Sequence, residues 1–300
     1  MKPTPNQAKP GAIRVNSKDG AEMVNVPAGE VIIGTNQGAY WECPAHQVSV
    51  PSFWIYRCVV SFGMFDTFVK QSGHRCQGPA FLRRIVKGGG PDMWKRMNVP
   101  SMRDKPVVYV GLADALAYAR WAGGDLPTEA EWEKAAGWDP ERSDKLDYPW
   151  GAQWDHERCN CEPSIDYGSG LPMPLASGQM TGLVRTKSGQ RHLAARGCTE
   201  ADALRFLEPV NSRVEGASFY GCLHMAGNVW EWSSSLYKMY PYHREDGRED
   251  LARSGKRVVR GGCWDSTPSS VRTWGRRCTV PQSGAVDTGF RVVLRTLPSG

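Results

Sequence analysis

Alternating apolar and polar positions mark the start of the folded part of the chain. Residues 1–20 are polar and proline-rich, which is typical of a flexible arm. From Met23 the chain alternates towards Val31-Ile32-Ile33, a pattern that predicts a strand, a turn and a second strand. The apolar segments 48–50 and 53–56 predict two further strands. We therefore expect the first part of the domain to contain short antiparallel strands.

Helical spacing replaces this alternation at three places. Residues 61–73 carry phenylalanines on one stripe and end with a glycine, and residues 112–121 show a second helical pattern. A third helix is predicted to start at Thr128, a fitting N-cap residue, with Glu131 at the reciprocal position of a capping box. We assign the glutamates of this segment to the helix start rather than to catalysis.

Regular patterns are sparse elsewhere. Residues 78–101 are predicted to form a long loop, and residues 162–208 a loop-rich insertion. Short strand patterns return from Val258 onward. The 33 glycines and 21 prolines among 300 residues support a loop-rich fold built from short strands.

Composition narrows the class of protein. The formal charge of +6 is mild for this length, and no recognised nucleic-acid motif accompanies it, so nucleic acid is disfavoured as a partner. No apolar run approaches the ~20 residues of a membrane-spanning helix, so no membrane association is expected. The N-terminus has no leader-like apolar segment, and the nine cysteines are irregularly spaced. These features favour a cytoplasmic protein with reduced thiols, although an exported protein without its leader stays open.

Nine short motifs follow one another along the chain. The clearest are Leu-Pro-Thr-Glu-Ala-Glu-Trp at 126–132, Gly-Asn-Val-Trp-Glu-Trp at 227–232, Arg-Gly-Gly-Cys-Trp at 260–264 and Gly-Phe-Arg at 289–291. In this order they resemble the sulfatase-modifying-factor family, which includes the formylglycine-generating enzymes. The resemblance implies one domain over 21–296. It also implies an α+β, C-type-lectin-like fold with short twisted antiparallel sheets, a few helices and long loops.

The resemblance implies metal chemistry whose usual ligands are missing here. Formylglycine-generating enzymes bind Cu(I) through two cysteines shortly after a Gly-Gly-Ser segment, because soft thiolates select this ion. The equivalent positions hold Ser266 and Val271, and the preceding serine is replaced by Cys263. Cys263 is therefore the candidate catalytic residue, as a displaced metal ligand or nucleophile. The alternative is that it is a buried residue that fills a serine-sized space.

A structural calcium site is implied at the 227–232 motif. In the family, backbone carbonyls and a carboxylate hold Ca²⁺, and the matching groups are the carbonyls of Gly227 and Val229 and the side chain of Glu231. The fourth family position is usually asparagine and is His224 here, a poor ligand for a hard cation. Asn160 matches an asparagine of a second calcium site whose partner carboxylate cannot be aligned.

The resemblance leaves several functions open. In some members, the variable proteins of diversity-generating retroelements, the segment that corresponds to 258–294 forms a ligand-binding face. We expect a ligand-binding protein of this kind, which holds a protein or small molecule at that face. The alternatives are an accessory subunit or an Fe- or Cu- and O₂-dependent oxidoreductase or modifying enzyme with an altered centre. The candidate ligand-binding residues are Trp230, Trp264, Asp265, Ser266, Thr267, Ser269, Ser270, Thr273, Trp274, Arg276, Arg277 and Gln282.

Overall fold

A computed structural model describes residues 11–78, 93–161 and 204–295, and the backbone of two short strands between them. The helices of the described ranges are α1 Phe62–Ser72, α2 Met93–Met97, α3 Leu112–Trp121 and α4 Glu129–Gly137. The strands are β1 Ile13–Val15, β2 Glu22–Val26, β3 Gly29–Ile33, β4 His46–Val50, β5 Phe53–Tyr56, β6 Trp138–Asp139, β7 Asp144–Lys145, β8 Val184–Arg185, β9 Arg191–His192, β10 Trp230–Leu236, β11 Arg257–Arg260, β12 Arg276–Thr279, β13 Thr288–Gly289 and β14 Val293–Leu294.

The first sheet joins the two ends of the described chain. Its strands lie in the order β1-β2-β5-β14, and every neighbouring pair is antiparallel. The prediction of a flexible arm over 1–20 is wrong for residues 13–15, because Ile13–Val15 pairs with Glu22–Val26. The alternation of apolar and polar positions did not predict this edge strand, because all its side chains are exposed. Residues 1–10 lie outside the described ranges.

The second sheet carries the two most informative motifs. Its order is β12-β11-β10-β13, with β10, β11 and β12 antiparallel and β13 parallel to β10. The Gly-Asn-Val-Trp-Glu-Trp motif leads into β10, and Arg-Gly-Gly-Cys-Trp begins at the end of β11. The residues after β11 and before β13 therefore emerge at one place, beside the start of β10.

The predicted helix start at Thr128 is confirmed in detail. The Thr128 hydroxyl accepts a hydrogen bond from the Glu131 amide at 3.1 Å, and the Glu131 carboxylate accepts one from the Thr128 amide at 2.7 Å. Every residue of α4 is buried, including Glu129 and Glu133. These two carboxylates are neutralised by buried cations. Arg276 donates through Nε and Nη2 to the two carboxylate oxygens of Glu129, at 2.7 and 2.8 Å, and Arg260 donates to Glu133 at 2.5 Å.

Helices α1 and α3 cover the first sheet through aromatic side chains. Phe65 lies against Tyr118 with ring centroids 6.1 Å apart, and both rings approach Phe290 just before β14. The predicted α+β class with short sheets and few helices is confirmed. Within the described ranges, the helices are all too short or too polar to cross a membrane. The predicted insertion 162–208 lies largely outside those ranges.

Candidate functional site

Two glycines turn the chain sharply after β11 and place Cys263. Gly261 and Gly262 both have positive φ, +92° and +74°. A Cβ on Gly262 would lie 2.6 Å from a methyl group of Val271, so both the backbone conformation and the space require glycine. The turn directs Cys263 back towards the start of β10.

Cys263 is enclosed by polar groups. Its amide donates to Ser266 Oγ at 2.9 Å, and its Sγ lies 3.5 Å from the same oxygen and 4.0 Å from Asp287 Oδ2. Burial raises the pKa of the Cys263 thiol well above its ordinary value, and the nearby Asp287 and Asp265 carboxylates raise it further. The side chain is therefore a neutral thiol near pH 7 unless a cation binds it.

Asp287 brings a negative charge to this thiol. Its Oδ1 accepts from the Thr288 hydroxyl at 2.8 Å, and its Oδ2 lies 3.5 Å from Arg277 Nη1. The Arg277 guanidinium also lies over the Trp230 ring, 4.6 Å from its centroid. Sequence analysis missed Asp287. Its only signal is its place two residues before the Gly-Phe-Arg motif.

The Trp264 indole follows Cys263 in the chain. It is buried and stacks on Phe206 at a centroid distance of 5.1 Å. Among the residues that the structure describes, its indole N–H has no hydrogen-bond partner. A buried N–H without an acceptor costs free energy, so an acceptor that reached this donor would stabilise it. We call Cys263, Asp287, Arg277, Trp230 and Trp264 the Cys263 cluster.

The C-terminal face is less exposed than the sequence predicts. Thr273 is fully buried, with its hydroxyl bonded to Leu146 O at 2.5 Å, and Arg276 is held by Glu129. Turns connect β11 to β12, so no alternation separates inward from outward positions there. The candidate residues divide into buried Trp230, Trp264, Ser266, Thr273, Trp274 and Arg276, partly buried Asp265, Thr267 and Ser270, and exposed Ser269, Arg277 and Gln282.

The two positions of the family copper ligands do not form a copper site. Ser266 directs its hydroxyl to the Cys263 amide, and Val271 is fully buried in an apolar cluster with Tyr148 and Cys159. Cu(I) in a two-thiolate site needs two soft ligands. Cys263 supplies one thiol, and neither of the other two side chains supplies a second.

Glu231 has a different partner from the predicted calcium ion. Arg291 donates to both of its carboxylate oxygens at 2.6 Å, and the Trp132 indole N–H donates to one of them at 2.7 Å. The Gly227 carbonyl accepts from the Val229 amide at 2.9 Å. The predicted role of Glu231 as a calcium ligand does not fit this arrangement, because its charge is already neutralised by a buried guanidinium.

The side chains at the other predicted calcium positions also form hydrogen bonds within the chain. Asn160 donates to Phe206 O at 2.7 Å and to Asn228 Oδ1 at 3.1 Å, and so ties residues 204–208 to the 227–232 motif. His224 is buried, and its Nε2 contacts Ser212 Oγ at 3.0 Å and Pro209 O at 3.2 Å. Both residues join the long connection before β10 to the core.

Known proteins share this arrangement of elements. Residues 9–296 match the sulfatase-modifying factor enzyme 1-like domain. Hercynine oxygenase of Mycobacterium tuberculosis is 30% identical over 84% of this chain but 54% of its own length, so the chain spans about half of that relative. Formylglycine-generating enzyme of Streptomyces coelicolor is 31% identical over 95% of this chain and 92% of its own.

Solved structures show the same fold at lower identity. PvdO from Pseudomonas aeruginosa has a TM-score of 0.63 and 22% identity, with 96% of this chain and 99% of that chain covered. Treponema denticola variable protein 1 has a TM-score of 0.56 and 16% identity, with 95% and 99% covered. Given the family match over nearly the whole chain and the shared motifs, the protein belongs to the sulfatase-modifying-factor family.

Proposed function

We propose that this chain is an O₂-dependent oxidoreductase or modifying enzyme that uses iron or copper and binds its substrate at the Cys263 cluster. Relatives named hercynine oxygenase and formylglycine-generating enzyme, at 30 and 31% identity, support an oxidative reaction over a binding role alone. The observation that carries the proposal is the convergence of the Cys263 thiol, the Asp287 carboxylate and the Arg277 guanidinium at one place, with Trp264 next to Cys263 in the chain.

Each group has a distinct role in this proposal. The Trp264 N–H donates to an oxygen or nitrogen acceptor of the substrate, and Asp287 accepts a proton or a hydrogen bond from a substrate N–H or O–H. Arg277, exposed and weakly paired, holds an anionic group at the rim. The apolar faces of Trp230 and Trp264 exclude water from the substrate, which strengthens these polar contacts.

The metal would supply O₂ activation, and its ligands differ from those of the copper enzymes. Because Ser266 and Val271 replace the thiolate pair, a two-thiolate Cu(I) centre is not part of the proposal. The buried positions of the C-terminal face also weigh against a freely diversified binding surface. Substitution of Thr273 or Arg276 would break internal hydrogen bonds rather than change an exposed contact.

The test combines oxygen consumption with product mass. Reduced protein is supplied with Fe(II) or Cu(I) and then, separately, with hercynine plus a thiol or with a cysteine-containing peptide. We expect metal-dependent O₂ uptake and a matching mass change in one of these pairs. Asp287→Asn and Cys263→Ser should each reduce turnover by at least about tenfold. Cys278→Ser, on the half-buried thiol of β12, is the matched control and should retain turnover.

The result that contradicts the proposal is equally direct. Absence of O₂ uptake with both metals and both substrate classes would overturn it, as would full turnover in Asp287→Asn. If a molecule binds with the Trp264 indole perturbed but is released chemically unchanged, the Cys263 cluster is a binding site without catalysis. Tryptophan fluorescence of wild type and Trp264→Phe distinguishes this outcome.

A further inference from the structure

A second group of chemistry-bearing side chains lies away from the Cys263 cluster. His74 and Cys76 follow α1, and Asp114 belongs to the first turn of α3. One ligand atom of each lies within 4.8 Å of the other two. This is the one such three-residue group formed by the residues that the structure describes. We propose that His74, Cys76 and Asp114 bind a divalent transition-metal ion, with Zn²⁺ as the reference ion.

The distances suit a small ion. His74 Nε2 lies 2.9 Å from Asp114 Oδ1. In tetrahedral zinc sites with bonds of 2.0–2.3 Å, neighbouring ligand atoms are about 3.3–3.6 Å apart. Entry of the ion therefore requires the imidazole and carboxylate to separate by a few tenths of an ångström, and the Cys76 Sγ, which lies within 4.8 Å of both atoms, to adopt the same spacing. The bond between them is replaced by two stronger metal bonds.

Surrounding contacts already hold two of the ligands in place. Asp114 is fully buried, and its oxygens accept from the Gln77 amide at 2.9 Å and the Gly78 amide at 3.0 Å. The His74 ring packs 5.0 Å from the ring of Phe68. Partners of this kind orient first-shell ligands in metal sites. The amide contacts alone would be explained by anchoring of this segment, but anchoring leaves the convergence of an imidazole and a thiol on the same carboxylate unexplained.

The ligand types predict which ions bind. A thiolate from Cys76 and the Asp114 carboxylate together balance a 2+ charge, and neutral His74 adds a borderline nitrogen ligand. This set favours Zn²⁺, Co²⁺ or Fe²⁺ over Ca²⁺ and Mg²⁺, which prefer oxygen ligands alone. His74 and Cys76 are partly exposed, so an ion has a path to the site. Three protein ligands leave a fourth position for water or another molecule, as in catalytic rather than structural zinc sites.

The site borders the same segment as the Cys263 cluster. The Leu112 amide, at the start of α3, donates to Pro281 O at 2.9 Å, and the segment from 281 continues to Asp287. Metal binding at His74, Cys76 and Asp114 does not require the proposed oxidative activity, and it is measured without substrate or O₂.

Cobalt spectroscopy tests the proposal directly. Reduced protein is titrated anaerobically with Co²⁺, whose thiolate complexes give a charge-transfer band in the near ultraviolet and d–d bands in the visible. We expect saturation at one equivalent, and bleaching of both sets of bands by Zn²⁺ but not by Mg²⁺. Cys76→Ser should abolish the charge-transfer band, and Cys76→Ser and His74→Ala should each weaken Co²⁺ binding by more than about tenfold.

A matched thiol variant separates ligand loss from general damage. Cys278→Ser removes a half-buried thiol on β12 and should keep the bands and the affinity of the wild type. Near-ultraviolet circular dichroism establishes that each variant is folded. Absence of saturable Co²⁺ binding in the wild type, or a thiolate band that survives Cys76→Ser, would overturn the proposal. Loss of oxidative turnover with intact Co²⁺ binding would count against the proposed function alone.

Discussion

His224 should make the stability of this protein depend on pH in the mildly acidic range. Its side chain is 4% exposed, and burial lowers its pKa from 6.5 to about 4 despite the opposing effect of the Glu208 carboxylate. The folded protein therefore holds a neutral imidazole down to about pH 4, whereas the unfolded chain binds a proton below 6.5. Because the unfolded state binds more protons in this window, stability falls as the pH falls from 6.5 towards 4.

The size of the effect follows from the two pKa values. At about pH 5 the unfolded imidazole is almost fully protonated and the folded one is almost fully neutral. The loss of unfolding free energy is then set by the distance from pH 5 to the unfolded pKa of 6.5, about 1.5 pH units. At 1.36 kcal/mol per unit, the loss between about pH 7.5 and pH 5 is about 2 kcal/mol. This is a large share of the 5–15 kcal/mol that stabilises a typical domain.

His224→Asn is the matched control. Residue 224 has a φ of +54°, in the left-handed region that asparagine tolerates better than most residues, and asparagine does not titrate. Urea unfolding of both proteins at the two pH values gives four free energies. Carboxylates remote from residue 224 titrate alike in both proteins and cancel in the comparison, whereas Glu208 interacts with the imidazole and belongs to the measured difference. We expect the wild type to lose about 2 kcal/mol more than the variant, and an equal loss in both would refute the assignment of a buried neutral His224.

Three further substitutions test the core, each by chemical denaturation. Glu231→Gln should destabilise by about 3–5 kcal/mol, because the buried Arg291 guanidinium loses its counter-charge; an effect below 1 kcal/mol would contradict the ion-pair argument. Trp132→Ala should cost about 3–5 kcal/mol as a large core truncation, so near wild-type stability would show that the cavity collapses. Thr128→Ala should cost about 1 kcal/mol through loss of the hydroxyl cap, whereas Thr128→Ser should retain most of it.

The local features of the fold were predictable because they depend on near neighbours in sequence. The pattern over 61–73 corresponds to α1, with Ser61 accepting from the Met64 amide and Gly73 in the left-handed conformation. The pattern over 112–121 has the bounds of α3. In contrast, α2 lies in a segment predicted to be a loop, since its five residues are too few to show helical periodicity. Strand β1 was not predicted because an exposed edge strand has no apolar face.

The candidate site was predictable only in part, because it is assembled from distant segments. Cys263 and Trp264 were found from their motif, but Asp287 and Phe206 reach them through folding and carry no local signal. Arg276 was expected at the surface because arginine is rarely buried. Its partner Glu129 lies 147 residues earlier in the chain, beyond the reach of any local pattern.

The motifs that identify the family contain charged residues that stabilise the fold rather than act on a substrate. These motifs contain Arg260, Arg291 and Glu231, whose charged groups form buried ion pairs inside the domain. The residues that could act on a substrate, Cys263 and Asp287, lie on turns next to those positions and outside these buried ion pairs. A turn residue can be substituted without breaking an ion pair of the core. Copper ligands on such turns can therefore be absent in a chain that keeps all the motifs of the family. Shared motifs therefore establish the fold of this chain, and its chemistry has to be argued from the side chains that the turns present.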